Sequence, residues 1–198
     1  EGETWTINLP AGGEANVSYA TVDHSTASGS TITAQNSTDG GDNENWTFPK
    51  PMTLGDPVTW TGAVDSNIGN PANWEDKYAE HRLPTKDDKV VVPAGCENNP
   101  VLSAPGSYWG LVVEAGATLT IAGVQVEITG TNAVSGTLAF SGYPTLAISA
   151  PVASFAGATI VPGEGTVRIL DGVETFDPDG LAFSRVEIVR SGGTLALG

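Results

Sequence analysis

The chain has 198 residues, of which 23 are acidic and 8 basic, and its formal net charge is −15. A surface this acidic repels a phosphate backbone, so we expect no nucleic-acid partner and attribute the acidity to an exposed extracellular surface, with calcium binding as the alternative. No apolar run approaches the about 20 residues of a membrane span. The single cysteine, Cys96, cannot form an internal disulfide. The 25 glycines and 13 prolines, with abundant Thr, Ser and Val, favour an all-β chain.

The first ten residues alternate between apolar and polar side chains. Trp5, Ile7 and Leu9 share one face, which predicts a strand buried on that side. Further strands are predicted at residues 16–22, 31–35 and 46–48. Because the alternation is already under way at the first residue and no signal peptide is recognisable, we expect a processed or excised piece.

The most polar loop of the chain spans residues 36–45. Its oxygen-bearing side chains are Asp39, Asp42, Asn43 and Glu44. Their spacing is not that of an EF-hand, so a bound calcium ion and a solvated turn both remain open. No cofactor is predicted to be required, and calcium is the one candidate. Glycosylation sequons occur at Asn16, Asn36 and Asn45.

A boundary is predicted at residues 49–59, because the three prolines of this short stretch interrupt a sheet ladder. Residues 60–198 then open with Trp60 and Trp74 around an Asn-rich loop. Two tryptophans around irregular backbone predict a cover over one end of a core, with stacking on a sugar as the alternative. The best helical candidate, residues 73–82, lacks a sustained apolar stripe and predicts one or two helical turns at most.

The stretch LVVEAGATLTIAGVQVEITG, residues 111–130, contains three apolar-alternating segments separated by corners at residues 114–117 and 122–123. These corners are too short for helical crossovers, and about twenty residues for three strands is the dimension of one coil of a parallel β-solenoid. We therefore predict an all-β chain, a parallel β-solenoid with a Trp-containing cap; a pair of antiparallel β-sandwiches is the alternative. The side chains expected to point inward are Leu119, Ile121, Val126, Ile128 and Leu138.

Four segments carry a family resemblance: NPANW, LPTKDDKVVVPAG, GATLTIAG and NSTDGGDNENWTF. Together they resemble the right-handed parallel β-helix, pectate-lyase-like modules of large bacterial cell-surface and secreted repeat proteins. The resemblance implies a β-helix fold and a secreted or cell-surface location. Its motifs are structural rather than catalytic, so it implies little about chemistry.

The order of these motifs is permuted relative to such a module. There an NPANW-type motif opens the β-helix and an Asn-Trp motif closes it, whereas here the closing motif precedes the opening one. Residues 1–48 are therefore expected to close a solenoid begun by a neighbouring subunit or a preceding repeat. Joining the two ends, with Gly198 and Gly2 as corners, predicts a head-to-tail homopolymer or tandem repeats. The expected interface residues are Trp5, Ile7, Leu9, Leu195 and Leu197.

Catalytic residues find little support in the sequence. His24 and His81 have no neighbouring Cys or His, which argues against a zinc site. For a polysaccharide lyase of this fold, the candidate acids are Asp87 with Asp88, or Asp177 with Asp179, and the candidate bases are Arg168, Arg185 and Arg190. Solvation of surface charges explains the same residues, so we predict that the chain is not an enzyme.

Three hypotheses about function follow. The first is a structural protein without catalytic activity, a subunit or repeat of an extracellular head-to-tail fibre, tube or surface layer. The second is an adhesin module that binds glycans or cells, with Trp109, Tyr108 and Tyr143 as its exposed aromatic residues. The third is a polysaccharide-active β-helix enzyme.

Overall fold

The computed structural model describes residues 3–197, and nearly all of its regular structure is β-strand. It forms two compact units, Glu1–Met52 and Thr53–Gly198. The border between them falls inside the predicted linker, residues 49–59. In each unit the strands of successive coils pair in parallel, which confirms the predicted parallel β-solenoid. The corner glycines Gly2 and Gly198 lie outside the described residues. None of the described segments is a helix long and apolar enough to cross a membrane.

In its described part, residues 3–52, the first unit contains seven short strands. They are β1 (Trp5–Leu9), β2 (Val17–Ser18), β3 (Thr21–Val22), β4 (Ser25–Gly29), β5 (Ile32–Gln35), β6 (Thr38–Asp39) and β7 (Trp46–Thr47). Three parallel ladders stack the coils: β1 on β4, β2 on β5 on β7, and β3 on β6. Sequence reasoning joined β2 to β3, missed β4, and assigned β6 to a loop.

Residues 53–197 of the second unit contain the remaining fifteen strands and one short 3₁₀ helix at Pro71–Asn73. The strands are β8 (Pro57–Trp60), β9 (Trp74–Asp76), β10 (Lys89–Val92), β11 (Val101–Leu102), β12 (Gly106–Val113), β13 (Thr118–Ala122), β14 (Gln125–Val134), β15 (Thr137–Ser141), β16 (Thr145–Ile148), β17 (Val152–Ser154), β18 (Thr159–Val161), β19 (Thr166–Ile169), β20 (Thr175–Asp177), β21 (Arg185–Ile188) and β22 (Ala196–Leu197). Among the strands of residues 3–197, only β8 and β9 pair antiparallel. The sequence predicted at most one or two helical turns at residues 73–82. The chain instead enters β9 directly after the 3₁₀ turn.

Each coil of the second unit has three faces. The first face stacks β8, β10, β12, β14, β17, β20 and β22, the second stacks β11, β13, β15 and β18, and the third stacks β12, β14, β16, β19 and β21. The strands β12 and β14 belong to two faces because they bend between them, and the register of their pairing shifts between Tyr108 and Gly110. From β10 onward, residues paired between consecutive coils are separated in sequence by 19 to 23 residues. Val101 and Thr120 give the lower limit, and Val152 and Thr175 give the upper limit.

The core consists of inward ladders that run from coil to coil. All five side chains predicted to point inward are buried: Leu119, Ile121, Val126, Ile128 and Leu138. On the third face, one ladder joins Val126, Leu146 and Val167, and the other joins Ile128, Ile148 and Ile169. Strand alternation makes this possible, because equivalent inward positions of consecutive coils lie directly above one another. Each such aliphatic side chain contributes about 1.5–3 kcal/mol by leaving water.

Candidate functional site

One end of the second unit is closed by two indoles packed edge to face. Trp60 and Trp74 are buried, and their rings meet edge to face with centroids 4.9 Å apart. Each indole N–H donates to a backbone carbonyl, Trp60 Nε1 to Asn98 O at 2.7 Å and Trp74 Nε1 to Ile68 O at 2.8 Å. The pair is therefore the predicted cover of the core, since a buried ring offers no face to a sugar.

The loop between these tryptophans is organised around the side chain of Asn73. Its amide donates to Asp65 Oδ1 at 2.6 Å and to Asn67 O at 3.0 Å, while its Oδ1 accepts from the backbone N–H groups of Val64 and Asp65. The backbone of this loop has no regular β-ladder. The fully buried Asn73 amide supplies four hydrogen bonds that hold the loop in its place. The NPANW motif therefore has a structural role, because its Asn73 side chain fixes the conformation of the loop.

Arg82 ties the cap to the first coil. Its Nε donates to Asp76 Oδ2 at 3.1 Å, and its two terminal nitrogens donate to the two oxygens of Asp88 at 2.8 and 2.7 Å. Burial opposes ionisation of Asp88, yet the hydrogen bonds from Arg82 and Thr85 hold its pKa below the ordinary value. The pKa of Asp76 is also lowered against burial, by backbone N–H groups and by Arg82. A second ion pair, Lys77 Nζ to Asp56 Oδ2 at 2.7 Å, lies in the same cap.

The opposite end of the second unit leaves inward positions uncovered. By register, Val186 and Ile188 of β21 extend the two inward ladders of the third face beyond Val167 and Ile169. Their exposed fractions are 41% and 58%, and Leu197 of β22, beside Phe176 on the first face, is 73% exposed. We call β21, β22 and these three side chains the open end.

The third side of this end is plugged by a loop. Residues 178–184 follow β20 without forming a strand, and they direct Leu181 and Phe183 against the core. The ring of Phe183 lies 5.2 Å from that of Phe155 and 6.3 Å from that of Phe176. Leu181 and Phe183 thus cover the core beside the second face, although its last strand, β18, pairs only with β15 among the described residues.

Two arginines share one glutamate at the open end. Arg168 Nη2 lies 2.8 Å and Arg185 Nη2 lies 2.6 Å from the carboxylate oxygens of Glu187. Arg190 follows, and its Nη1 donates to Thr194 O at 2.9 Å. Asp171 accepts from the backbone N–H and the hydroxyl of Ser191, next to Arg190, so acidic and basic side chains occur together at this edge.

The predicted interface residues occur in both units. In the first unit Trp5 is 43% exposed, Ile7 and Leu9 are half-buried, and the Trp5 indole donates to Asp23 O at 2.8 Å. In the second unit Leu195 is half-buried against the core and Leu197 is exposed. Sequence reasoning did not include Val186 and Ile188, although they alternate in RVEIVR as inward residues do.

The four side chains predicted to bind calcium form hydrogen bonds or an ion pair with other residues of the protein. Asp39 Oδ1 accepts from Asn43 Nδ2 at 2.6 Å, Asn43 Oδ1 accepts from the backbone of Ser25, and Asp42 Oδ2 lies 3.3 Å from His24 Nε2. The fourth, Glu44 Oε2, accepts from Thr26 Oγ1 at 3.5 Å. Within residues 3–197 no group of three or more His, Cys, Asp and Glu side chains is arranged to hold a metal ion. Calcium binding stays a prediction, which a fall of melting temperature in chelator would support and an unchanged melt would contradict.

The lyase candidates also form contacts within the protein. Asp88 binds Arg82, Asp87 pairs with Lys86 at 2.7 Å, Asp177 accepts from the backbone of Asp179, and Asp179 accepts from that of Gly157. None of these four carboxylates is shown in contact with Arg168, Arg185 or Arg190. The structure brings the two arginines Arg168 and Arg185 together on Glu187, a residue that the sequence did not single out.

The three aromatic residues predicted to be exposed differ in their surroundings. Tyr108 is only 8% exposed, so that prediction is wrong; the residue lies at an inward position of β12 beside Ile128. Trp109 is half-buried, and a Cβ added to Gly130 would collide with its ring. Tyr143 is 77% exposed, as expected.

Comparisons of the chain with protein-family models, with curated proteins and with solved structures found no match. The structure shows a parallel β-solenoid, and no comparison supports the pectate-lyase-like or bacterial surface-repeat assignment.

Proposed function

We propose that this chain is a structural protein of the cell surface or the secreted fraction, a subunit or repeat of a fibre, tube or layer built by joining β-solenoids end to end. The observation that carries the proposal is the open end. There the inward ladders continue into Val186, Ile188 and Leu197, which no described residue covers from the far side.

Two features of the open end favour the addition of a further coil: the unpaired strand edges and the exposed apolar side chains. Among the described strands, β21 pairs with β19 alone and β22 with β20 alone, so each keeps one edge whose N–H and C=O groups can accept a further strand. Covering Val186 and Ile188 would add up to about 1.5–3 kcal/mol for each side chain, scaled to the fraction now exposed. An added strand would therefore gain both hydrogen bonds and apolar burial.

The charge supports an extracellular, non-aggregating assembly. A formal net charge of −15 keeps separate solenoids apart at their sides, where like charges face one another. Contacts are then favoured where apolar side chains are exposed, as they are at the open end. Assembly by ends and not by sides produces a linear polymer.

Negative-stain microscopy and sedimentation of the purified 198-residue chain test this proposal. We expect rods whose length increases with protein concentration. A chain that remains monomeric at all concentrations, with its β-structure intact by circular dichroism, would contradict the structural role.

A further inference from the structure

The outward side of the second face carries rows of threonine that run from coil to coil. Along β13 and β15 the outward residues alternate with buried ones such as Leu119 and Leu138. The register of the parallel ladders aligns the outward residues of successive coils in two rows. We call these seven side chains the threonine face: Thr118, Thr137 and Thr159 form one row, and Val101, Thr120, Ala139 and Val161 form the other.

The threonine face is uncharged in a strongly charged chain. The strands that form it, β11, β13, β15 and β18, contain no Asp, Glu, Lys or Arg. An outward row of the third face, by contrast, includes Glu127, Arg168 and Glu187. Charges on an outward sheet increase solubility, so their absence from this one sheet points to a contact that charges would disturb.

The hydroxyl groups of the threonine face are free to bind water. Within residues 3–197, its four threonine side chains form no hydrogen bond with another residue. Outward threonines of the first unit differ, because Thr33 Oγ1 lies 2.9 Å from Thr47 Oγ1 in the paired strand, and Thr31 Oγ1 donates to Asn45 Oδ1 at 2.6 Å. The threonine face therefore presents unpaired hydroxyl groups and methyl groups side by side.

The two rows are regular in two directions. Paired residues of successive coils lie about 4.7–4.9 Å apart, and alternate residues of one strand lie about 6.6 Å apart. The ladders from β11 to β18 contain no register shift, unlike the ladder of β12 and β14, so no bulge bends the rows. The oxygen atoms of an ice plane also recur at separations of this order in two directions.

We propose that the threonine face binds ice. Its hydroxyl groups hold water molecules at regularly spaced positions, and the methyl groups between them border the same water without imposing an orientation of their own. Charged side chains would orient water around themselves, which accounts for their absence from this sheet. The proposal does not depend on end-to-end assembly, because a single chain carries the whole face.

Other flat partners fit this face less well. A crystalline polysaccharide would stack its sugar rings on aromatic side chains, and the threonine face contains none. A second copy packed face to face would need a larger apolar centre, whereas Val101 and Val161 lie at opposite ends of one row. Ice is the partner that uses the spacing, the free hydroxyl groups and the lack of charge together.

Thermal hysteresis, the difference between the melting and freezing temperatures of an ice crystal in the protein solution, tests the proposal on the full chain. We expect the native chain to shape ice crystals and to produce hysteresis. Thr137→Lys, in the middle of the first row, should lose most of that hysteresis because a charged side chain rises from the plane. The matched control, Thr145→Lys, changes an outward, half-buried threonine of the third face and should leave hysteresis unchanged.

A second variant decides the test if Thr137→Lys does not fold. Ala139→Lys places the same charge in the neighbouring row, and circular dichroism checks the folding of every variant. Absence of hysteresis from the native chain would overturn the proposal without bearing on the structural role, which sedimentation tests separately. Hysteresis that persists in the folded variants of the threonine face, or that Thr145→Lys loses equally, would also overturn it.

Discussion

The two ends of the second unit differ in how the core is covered. At the capped end, Trp60 and Trp74 cover the core, and Arg82 fastens the cover to the first coil through buried carboxylates. At the open end, Val186 and Ile188 hold inward positions and remain exposed. Any further coil is therefore expected at the end that lacks the cap.

The largest effect should come from the cap. Replacing Trp74 by Ala would remove a buried indole and its hydrogen bond to Ile68 O, at a cost of about 3–5 kcal/mol in the free energy of unfolding. The matched change at the open end, Leu197→Ala, should stay within about 0.5 kcal/mol, as is usual at the surface. Urea unfolding followed by far-UV circular dichroism measures both. Equal losses at the two ends would remove the distinction between cap and open end.

Arg82→Ala is expected to be nearly as damaging. It leaves the carboxylates of Asp76 and Asp88, both of which have side chains only 3% exposed, without their cation, and breaking a buried pair in this way costs about 3–5 kcal/mol. The control is Arg185→Ala at the open end, whose ion pair with Glu187 is exposed and should contribute less than about 1 kcal/mol. The same urea titration compares the two arginines.

A central coil should respond like the cap and unlike the open end. Leu119→Ala empties a fully buried position in β13 and should cost about 2–5 kcal/mol. Ile188→Ala changes an inward position that is still half in water and should cost the isolated chain much less. A loss below about 0.5 kcal/mol at Leu119 would mean that the register of the inward ladder is wrong.

The smallest expected effect is a dependence of cap stability on pH. The hydrogen bond from Lys77 lowers the pKa of Asp56 from its ordinary value of 3.8 to about 2. Because the folded-state pKa is depressed, the stabilisation is complete above pH 3.8 and is lost as the pH falls towards 2. The urea midpoints of the native chain and of Asp56→Asn should therefore differ at pH 5 and converge near pH 2. A difference that is constant over this range would contradict the ion pair.

Many strands of the solenoid could be predicted because the alternation of apolar and polar residues that indicates a strand is visible within a short stretch of sequence. In residues 111–130 the apolar side chains recur with period two, and each one predicted to face inward on β13 and β14 does so. The strand β4 gave no such signal, because its inward residues are Ser25 and Ala27. The place of Ser25 depends on a neighbouring coil, from which the Trp46 indole N–H donates to its Oγ at 3.1 Å.

The features that sequence reasoning missed depend on contacts between distant residues. Arg82 lies six residues from each of its two aspartates, a symmetric spacing that could have suggested a bridge, but only the fold of the loop brings all three together. Tyr108 was expected at the surface as one of the exposed aromatic residues of the adhesin hypothesis. The bend between two faces turns it inward beside Ile128.

Amide hydrogen exchange measured at increasing protein concentration tests the central claim, that the open end receives further strands and the capped end does not. The account predicts that protection of the Arg185–Ile188 amides rises with concentration, while that of Trp74–Asp76 stays constant. Exchange in Arg185–Ile188 that is independent of concentration, or an equal gain of protection at Trp74–Asp76, would contradict it.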